Sequence, residues 1–223
     1  MERVEDKPFL VPRDRLPFIA EQTERFDRIT EHFPVERGNG LSKEDRDRRE
    51  GKEITLTYGE ISFSSMAEVF ESIRGRYGGL PEGGVFYDLG SGTGKGVLAA
   101  ALMHNFAVCR GVEILEGLYQ ASLAIKSIYE AEMEAAGAPQ CPRLEFVLGD
   151  LFDTDWTQAD CIFANSTCFS NEMMDRIAQV RPKPGCKAIT FTKYLKAPHW
   201  RILERVQKDM SWGIATIFIH ESV

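Results

Sequence analysis

The sequence predicts an α/β domain built on a mostly parallel sheet with helices on both faces and a C-terminal antiparallel hairpin, preceded by a small helical extension. Three observations carry that reading. Short apolar runs alternate with helical stretches from residue 85 onward. A glycine-rich turn joins the first of these runs to a helix. Two further apolar runs, separated by about seven residues, pair as neighbours near the C-terminus. The 223 residues, 43% hydrophobic and 27% charged, suit one such domain with an extension and exclude a disordered, collagen-like or disulfide-scaffold chain.

Taken in order, Pro17 is apt for a first helical turn, and Ile19, Phe26, Ile29 and Phe33 recur at helical spacing up to Pro34. Residues 36–53 are almost wholly polar, with charges of both signs, and read as a solvated loop; a partner-binding segment is the alternative. The main domain then begins at residue 54, with a short strand over 54–58. Ser65-Met66-Ala67-Glu68 matches the S-x-x-E capping box, so a helix should start at Ser65 and run to about Arg76. Next come a strand at 85–89, the glycine turn, a helix over 95–105 and a strand over 107–114. In a helix over 115–136, Leu118, Ala121, Ile125 and Ile128 repeat at helical spacing, with Gly137 as cap and Pro139 as stop. Strands at 144–148 and 160–165, a helix over 171–180 and a strand at 187–192 follow. The runs at 200–206 and 214–219 give the hairpin, although ILERVQK also fits a helix over 199–208.

Lys plus Arg total 27 against 34 Asp plus Glu, a net charge of −7, the opposite of what a free-standing phosphate-backbone binder carries. No strong nucleic-acid binding is expected. The 5 cysteines are odd in number and widely spaced, without C-x-x-C, and the 4 histidines add no ligand pattern, so reduced thiols and no metal site are expected. The first residues mix charges of both signs and lack an apolar signal region, and the densest apolar stretch, 97–103, is far short of the roughly 18 residues of a membrane span. An intracellular protein without membrane association is the expectation.

The sharpest feature is Asp88-Leu89-Gly90-Ser91-Gly92-Thr93-Gly94-Lys95-Gly96, after a strand and opening a helix. Glycines let the backbone pass close beneath a ligand, and the helix N-terminus supplies N–H donors. A Walker A loop fails because Gly96 follows Lys95 where Ser or Thr is required. A dinucleotide fingerprint fails because Lys95 or Val97 falls where its last glycine belongs.

What remains, D-x-G-x-G-x-G, resembles motif I of the class I S-adenosylmethionine methyltransferases, whose glycines admit the methionine portion of the cofactor. Two further positions match that family in order. Glu113 ends the next strand, where an acid holds the ribose hydroxyls; Gly149-Asp150-Leu151 follows the third, where Asp150 would bond the adenine amino group and Leu151 would lie on the ring. All three fall at the C-terminal ends of successive strands, the face on which open α/β sheets bind ligands.

Four stretches narrow the resemblance: Tyr58-Gly59-Glu60 with Phe63, a Y-G-E loop; Asp88 to Gly94; Gly149-Asp150 followed by Trp156; and Phe163-Ala164-Asn165, like F-V-N-N-F-A-F. Together they resemble the Dot1 family of histone lysine methyltransferases, which have a seven-stranded, Rossmann-like cofactor-binding fold. The resemblance covers residues 54–221 and includes Ser211-Trp212 of the hairpin. It implies that Tyr58, Gly59, Glu60 and Ile61 fold over the methionine moiety, Glu60 near its ammonium end, with Asp88, Leu89, Gly90, Ser91, Gly92, Thr93, Gly94, Lys95, Glu113, Asp150, Leu151 and Asn165 completing the cofactor site. Tyr58, Phe163 and Asn165 are the implied catalytic residues, the last two flanking the transferable methyl group, while Phe169 walls an apolar acceptor channel.

The chain departs from the family at Ser166 and Thr167, which replace a second Asn and a Phe and should make that channel wall more polar. The implied cofactor is S-adenosylmethionine, leaving as S-adenosylhomocysteine, and the implied partner is a protein substrate, with a histone or nucleosome as candidate. Arg46, Arg48, Arg49 and Lys52 are the cations available to meet a nucleosome, and the resemblance favours the nucleus over the cytoplasm. The alternatives are a methyltransferase for a non-histone protein or small molecule, and a cofactor-binding protein without turnover. An [DN]-P-P-[YF] segment, usual in enzymes that methylate base or amide nitrogens, is replaced here by Asn165-Ser166-Thr167-Cys168.

Overall fold

The structure, a computed structural model, describes residues 10–48, 59–138, 140–210 and 213–223. A 3-10 turn (Arg13–Arg15) leads into α1 (Leu16–Thr30), α2 (Val35–Arg48) and α3 (Phe63–Arg76). The alternating series is β1 (Val85–Leu89), α4 (Lys95–Met103), β2 (Val108–Glu113), α5 (Glu116–Ala135), β3 (Arg143–Leu148), β4 (Cys161–Ala164), α6 (Asn171–Gln179) and β5 (Lys187–Phe191), followed by β6 (Trp200–Met210) and β7 (Gly213–Ser222).

Among the described residues the strands form one seven-stranded sheet in the order β3-β2-β1-β4-β5-β7-β6. The first five are parallel, while β7 is antiparallel to β5, with Ile189 opposite Ile219, and β6 closes the edge antiparallel to β7. The hairpin therefore prevails over a helix at 199–208. Pairing with β7, whose Ile217, Phe218 and Ile219 are buried, outweighs the local helical period. The chain winds outward from β1 through β2 to β3, then returns to β4 on the other side. That reversal opens a crevice at the C-terminal ends of β1 and β4.

Alternation along β1 divides the core. Phe86 faces α1, α3, α4 and α5 with Phe26, Ile29, Met66, Leu98 and Ile125, whereas Tyr87 and Leu89 face the α6 side with Trp156, Ile162 and Ile177. All nine residues of α4 are buried, which its Gly and Ala content allows by keeping the helix thin against the sheet. Among the described residues no helix is long and apolar enough to cross a membrane.

Two local expectations are corrected. Residues 35–48 are helical where a solvated loop was expected. The helix buries small and polar positions, Gly38, Ser42 and Asp45, against α5, so no apolar period announces it. Residues 49–58, including the rest of the expected loop and the strand at 54–58, lie outside the described residues. The cap of α3 is Ser62, not Ser65: its hydroxyl accepts from Ser65 N–H at 3.2 Å, and Phe63, buried 5.0 Å from the Phe26 ring, is drawn into the first turn. Glu68, the acid of the expected capping box, instead pairs with Lys208 on β6.

Candidate functional site

A cavity of about 1000 Å³ occupies the crevice, bordered by the glycine turn, the ends of β2, β3 and β4, the Gly59–Ile61 loop, and the N-terminal half of α2. Gly94 takes φ +86 just before α4, and a Cβ there would lie 2.6 Å from the Phe146 ring. Only glycine fits both the left-handed backbone and that contact. Gly96 is needed for a different reason, since its Cβ would lie 2.4 Å from Asp88 Oδ2. Gly90 and Ser91 donate N–H bonds to Val112 O at 2.9 and 3.0 Å, tying the turn to β2.

Glu113 clasps this corner. Its Oε2 accepts from Gly92 N–H at 2.7 Å and its Oε1 from Leu115 N–H at 2.8 Å, so one carboxylate fixes both the glycine turn and the entry to α5. Asp88 is buried beneath the turn. Burial, then the neighbouring Glu113 carboxylate, pushes its pKa well above the usual carboxylate range. On the far side Asp150 Oδ1 accepts from Phe152 N–H at 2.9 Å, which holds Gly149-Asp150-Leu151 across the end of β3. Leu151 is buried at the cavity wall beside Phe152, which the sequence reading missed; the Phe152 ring lies 3.6 Å beneath the Arg176 guanidinium. Trp156 stands off the wall and donates its indole N–H to Leu151 O at 3.2 Å.

The loop over the turn is held at two adjacent residues, Glu60 and Gly59. Lys95 Nζ donates to Glu60 Oε2 at 2.7 Å, with the two side chains only 11% and 9% exposed. Asn165 Nδ2 donates to Gly59 O at 2.8 Å, joining the end of β4 to the same loop. Ile61 is buried at the cavity wall. Tyr58 and Trp212, both singled out from the sequence, lie outside the described residues.

At the end of β4, Phe163 is buried edge-on to Phe191 and reaches the cavity, and Phe169 packs where a Gly90 side chain would sit. Ser166 corrects an expectation. It is fully buried, donates to Phe191 O at 2.6 Å and accepts from Phe191 N–H at 3.2 Å, so it welds β4 to β5 and adds no polarity to the wall. Thr167 does border the cavity. Its hydroxyl lies 3.2 Å from both Asn165 Oδ1 and Thr192 Oγ1, and Thr192 holds a left-handed backbone at φ +64, strained for a β-branched residue.

Of the described residues singled out from the sequence for the cofactor, Leu89 and Gly94 do not border the cavity: Leu89 is fully buried in the core on the α6 side, and Gly94 shapes the turn from behind. Val35, Glu36 and Asn39 of α2 border it unannounced by the sequence.

Comparison with known proteins fits this geometry. The family described as histone methylation protein DOT1 matches residues 50–216. The chain is 27% identical over 210 residues to the histone-lysine N-methyltransferase, H3 lysine-79 specific, of Eremothecium gossypii, covering 86% of this chain and 34% of that protein. It is 26% identical over 174 residues to the protein of the same description from Candida albicans, covering 72% of this chain and 12% of that one. The chain thus spans about a third or less of the length of these relatives. Among solved structures it is similar in fold to an RNA methyltransferase from Salinibacter ruber in complex with S-adenosyl-L-homocysteine (TM-score 0.50, 22% identity, 74% of this chain and 94% of that one). It is likewise similar to a variant of MtNAS in complex with S-adenosylmethionine (TM-score 0.51, 13% identity, 95% and 80%). With three quarters of its length matched by the family's pattern, the chain belongs to the DOT1 family of histone methylation proteins.

Proposed function

We propose that the chain uses S-adenosylmethionine to methylate a lysine amine on a protein, with histone H3 as the acceptor. One observation carries the reading: Glu113, Asp150 and the glycine turn border the same cavity that Asn165 borders from the opposite side. The donor set fits that cofactor. Carboxylates accept from ribose hydroxyls and from an adenine amino group, Lys95 and main-chain N–H groups suit a carboxylate, and Glu60 suits an ammonium. A volume of about 1000 Å³ stands at the upper end of small-molecule sites and leaves room for an acceptor side chain.

When bound, S-adenosylmethionine supplies an electrophilic methyl group on a sulfonium. The chain's own residues orient and desolvate. Glu113 and Asp150 fix the nucleoside, the Gly59–Ile61 loop covers the amino-acid end, and Asn165 sets the wall against which the acceptor nitrogen lies. Phe163, Phe169 and Ile61 keep that region apolar, which favours the neutral, nucleophilic form of a lysine amine. In-line displacement then depends chiefly on alignment, with no dedicated base required.

The H3 lysine-79 description of both fungal relatives supports a histone acceptor and a nuclear location. A net charge of −7 gives little grip on nucleosomal DNA, and on α2 Arg48 is already engaged by Glu44 and Asp45. Incubation with methyl-labelled S-adenosylmethionine and core histones, intact nucleosomes or cell lysate tests the assignment. Label on an H3 lysine is expected. Label confined to a non-histone band would move the acceptor elsewhere, and absence of label from every protein would leave a small-molecule methyltransferase or a binding protein without turnover.

A further inference from the structure

Helix α2 reaches the cavity from a segment that composition marks only as charged surface. Its residues divide into two faces. Gly38, Ser42 and Asp45, four and then three positions apart, are buried towards α5, and Asp45 Oδ2 accepts from Gly117 N–H at 2.6 Å, so it caps the α5 N-terminus from another helix. The fit is close: a Cβ at Gly117 would lie 3.1 Å from Asp45 Oδ2 and 3.4 Å from the Leu41 side chain. The adjacent face turns Val35, Glu36 and Asn39 to the cavity. Upstream, Arg25 and Arg28 of α1 both pair with Glu132 of α5, at 3.3 and 2.7 Å, so the whole extension is fastened to the helix that follows Glu113.

We infer that α2 is a wall of the cofactor site and that Asn39 is a contact for the nucleoside half of S-adenosylmethionine. The inference rests on the proposed cofactor and adds a residue and an element to its site. The side of approach is fixed by Gly117 and Leu115, which adjoin Glu113, the acid proposed for the ribose, whereas the amino-acid end lies under Gly59–Ile61. Asn39 carries both a donor and an acceptor, the complement of a ribose hydroxyl or an adenine edge, and Val35 offers an apolar surface beside it. Residues 35–48 thereby tie the extension to the border of the proposed site and are not merely solvated charge.

The test compares S-adenosylhomocysteine with 5′-methylthioadenosine, which keeps the nucleoside and lacks the amino acid, by calorimetry on the full chain. Wild type is expected to bind both. Asn39→Ala, a change on an exposed helix position, should weaken both by a similar factor of about three to ten, in line with one lost hydrogen bond. Asp45→Ala, which undocks the helix from Gly117, should weaken both as well. Unchanged affinities in Asn39→Ala, or loss for S-adenosylhomocysteine alone, would overturn the inference, as would wild type binding S-adenosylhomocysteine but not the shorter probe at millimolar concentration. Failure of wild type to bind S-adenosylhomocysteine would instead remove the cofactor reading itself.

Discussion

Asn165 and Thr167 form one hydrogen-bonded unit at the edge of the cavity: the Thr167 hydroxyl donates to Asn165 Oδ1 at 3.2 Å, which leaves the Asn165 amino group to donate to Gly59 O at 2.8 Å. Both polar ends of the carboxamide are thus fixed by the protein itself. A side chain held in this way can act as a wall of defined orientation at little entropic cost on binding. The threonine that departs from the family pattern therefore orients the asparagine that keeps it.

Removal of that wall should separate transfer from binding. Asn165→Ala is expected to suppress methyl labelling strongly while changing the S-adenosylhomocysteine affinity little. Thr167→Val, which keeps the shape and removes the donor, should lower kcat by about three- to tenfold, the worth of one hydrogen bond. Steady-state labelling with a calorimetric titration of each variant checks both. Full turnover in Asn165→Ala would remove its role.

The Lys95–Glu60 pair makes a second prediction. Two nearly buried charges 2.7 Å apart stabilise little as a pair, but losing one strands the other. Lys95→Met should destabilise the chain by roughly 3 kcal/mol and weaken S-adenosylhomocysteine binding, and adding Glu60→Gln should restore much of the stability without the affinity. Denaturant midpoints for the two single variants and the double variant measure the coupling. Additive effects would show that the pair does not hold the loop.

Much of this site is legible in the sequence, for identifiable reasons. The strand, glycine turn and helix around Asp88 announce themselves because the turn admits only glycine, at Gly94 for its left-handed backbone and at Gly96 for its close approach to Asp88. Glu113 and Asp150 follow because acids at strand ends are placed by topology alone. α2 stays hidden because its buried stripe is Gly38, Ser42 and Asp45, held by packing and one carboxylate and not by apolar period. The true cap of α3 is displaced three residues by tertiary burial of Phe63, which no local rule contains. Ser166 reads as channel lining by position, yet its neighbour Phe191, distant in sequence, takes both of its hydrogen bonds.

Stability should respond to pH through His220. The ring is fully buried, with Nδ1 3.1 Å from Ala188 O and Nε2 accepting from Leu195 N–H at 3.2 Å, and burial lowers its pKa to about 4. Because the folded chain resists the protonated form, stability is full above the unfolded value near 6.5 and falls as pH drops towards 4, by roughly 3 kcal/mol in total. Asp88, whose pKa is raised, contributes a slope of opposite sign at acid pH. The difference between wild type and His220→Gln isolates the histidine: the variant's disadvantage measured by urea unfolding should shrink between pH 6.5 and 4.5. A constant difference would refute the assignment.

Asp88 itself predicts a linkage to the ligand. Burial and Glu113 favour its neutral form, whereas a cationic ligand nearby would favour the carboxylate, so binding should expel a fraction of a proton and strengthen as pH rises. Titrations of S-adenosylmethionine, which carries the sulfonium charge that S-adenosylhomocysteine lacks, over the acid-to-neutral range in two buffers of different ionisation enthalpy should give different apparent heats, and Asp88→Asn should abolish that difference. Equal heats in wild type would show that Asp88 does not change protonation.

The most direct measurement is the calorimetric affinity of the unmodified chain for S-adenosylhomocysteine, set beside that of Glu113→Gln, which keeps the side chain's size and removes its charge. Micromolar binding to the wild type and a loss of tenfold or more in the variant are predicted, with both proteins melting cooperatively. Absence of binding at millimolar ligand, or equal affinity in the two proteins, would contradict the claim that Glu113 and the glycine turn form a nucleoside site.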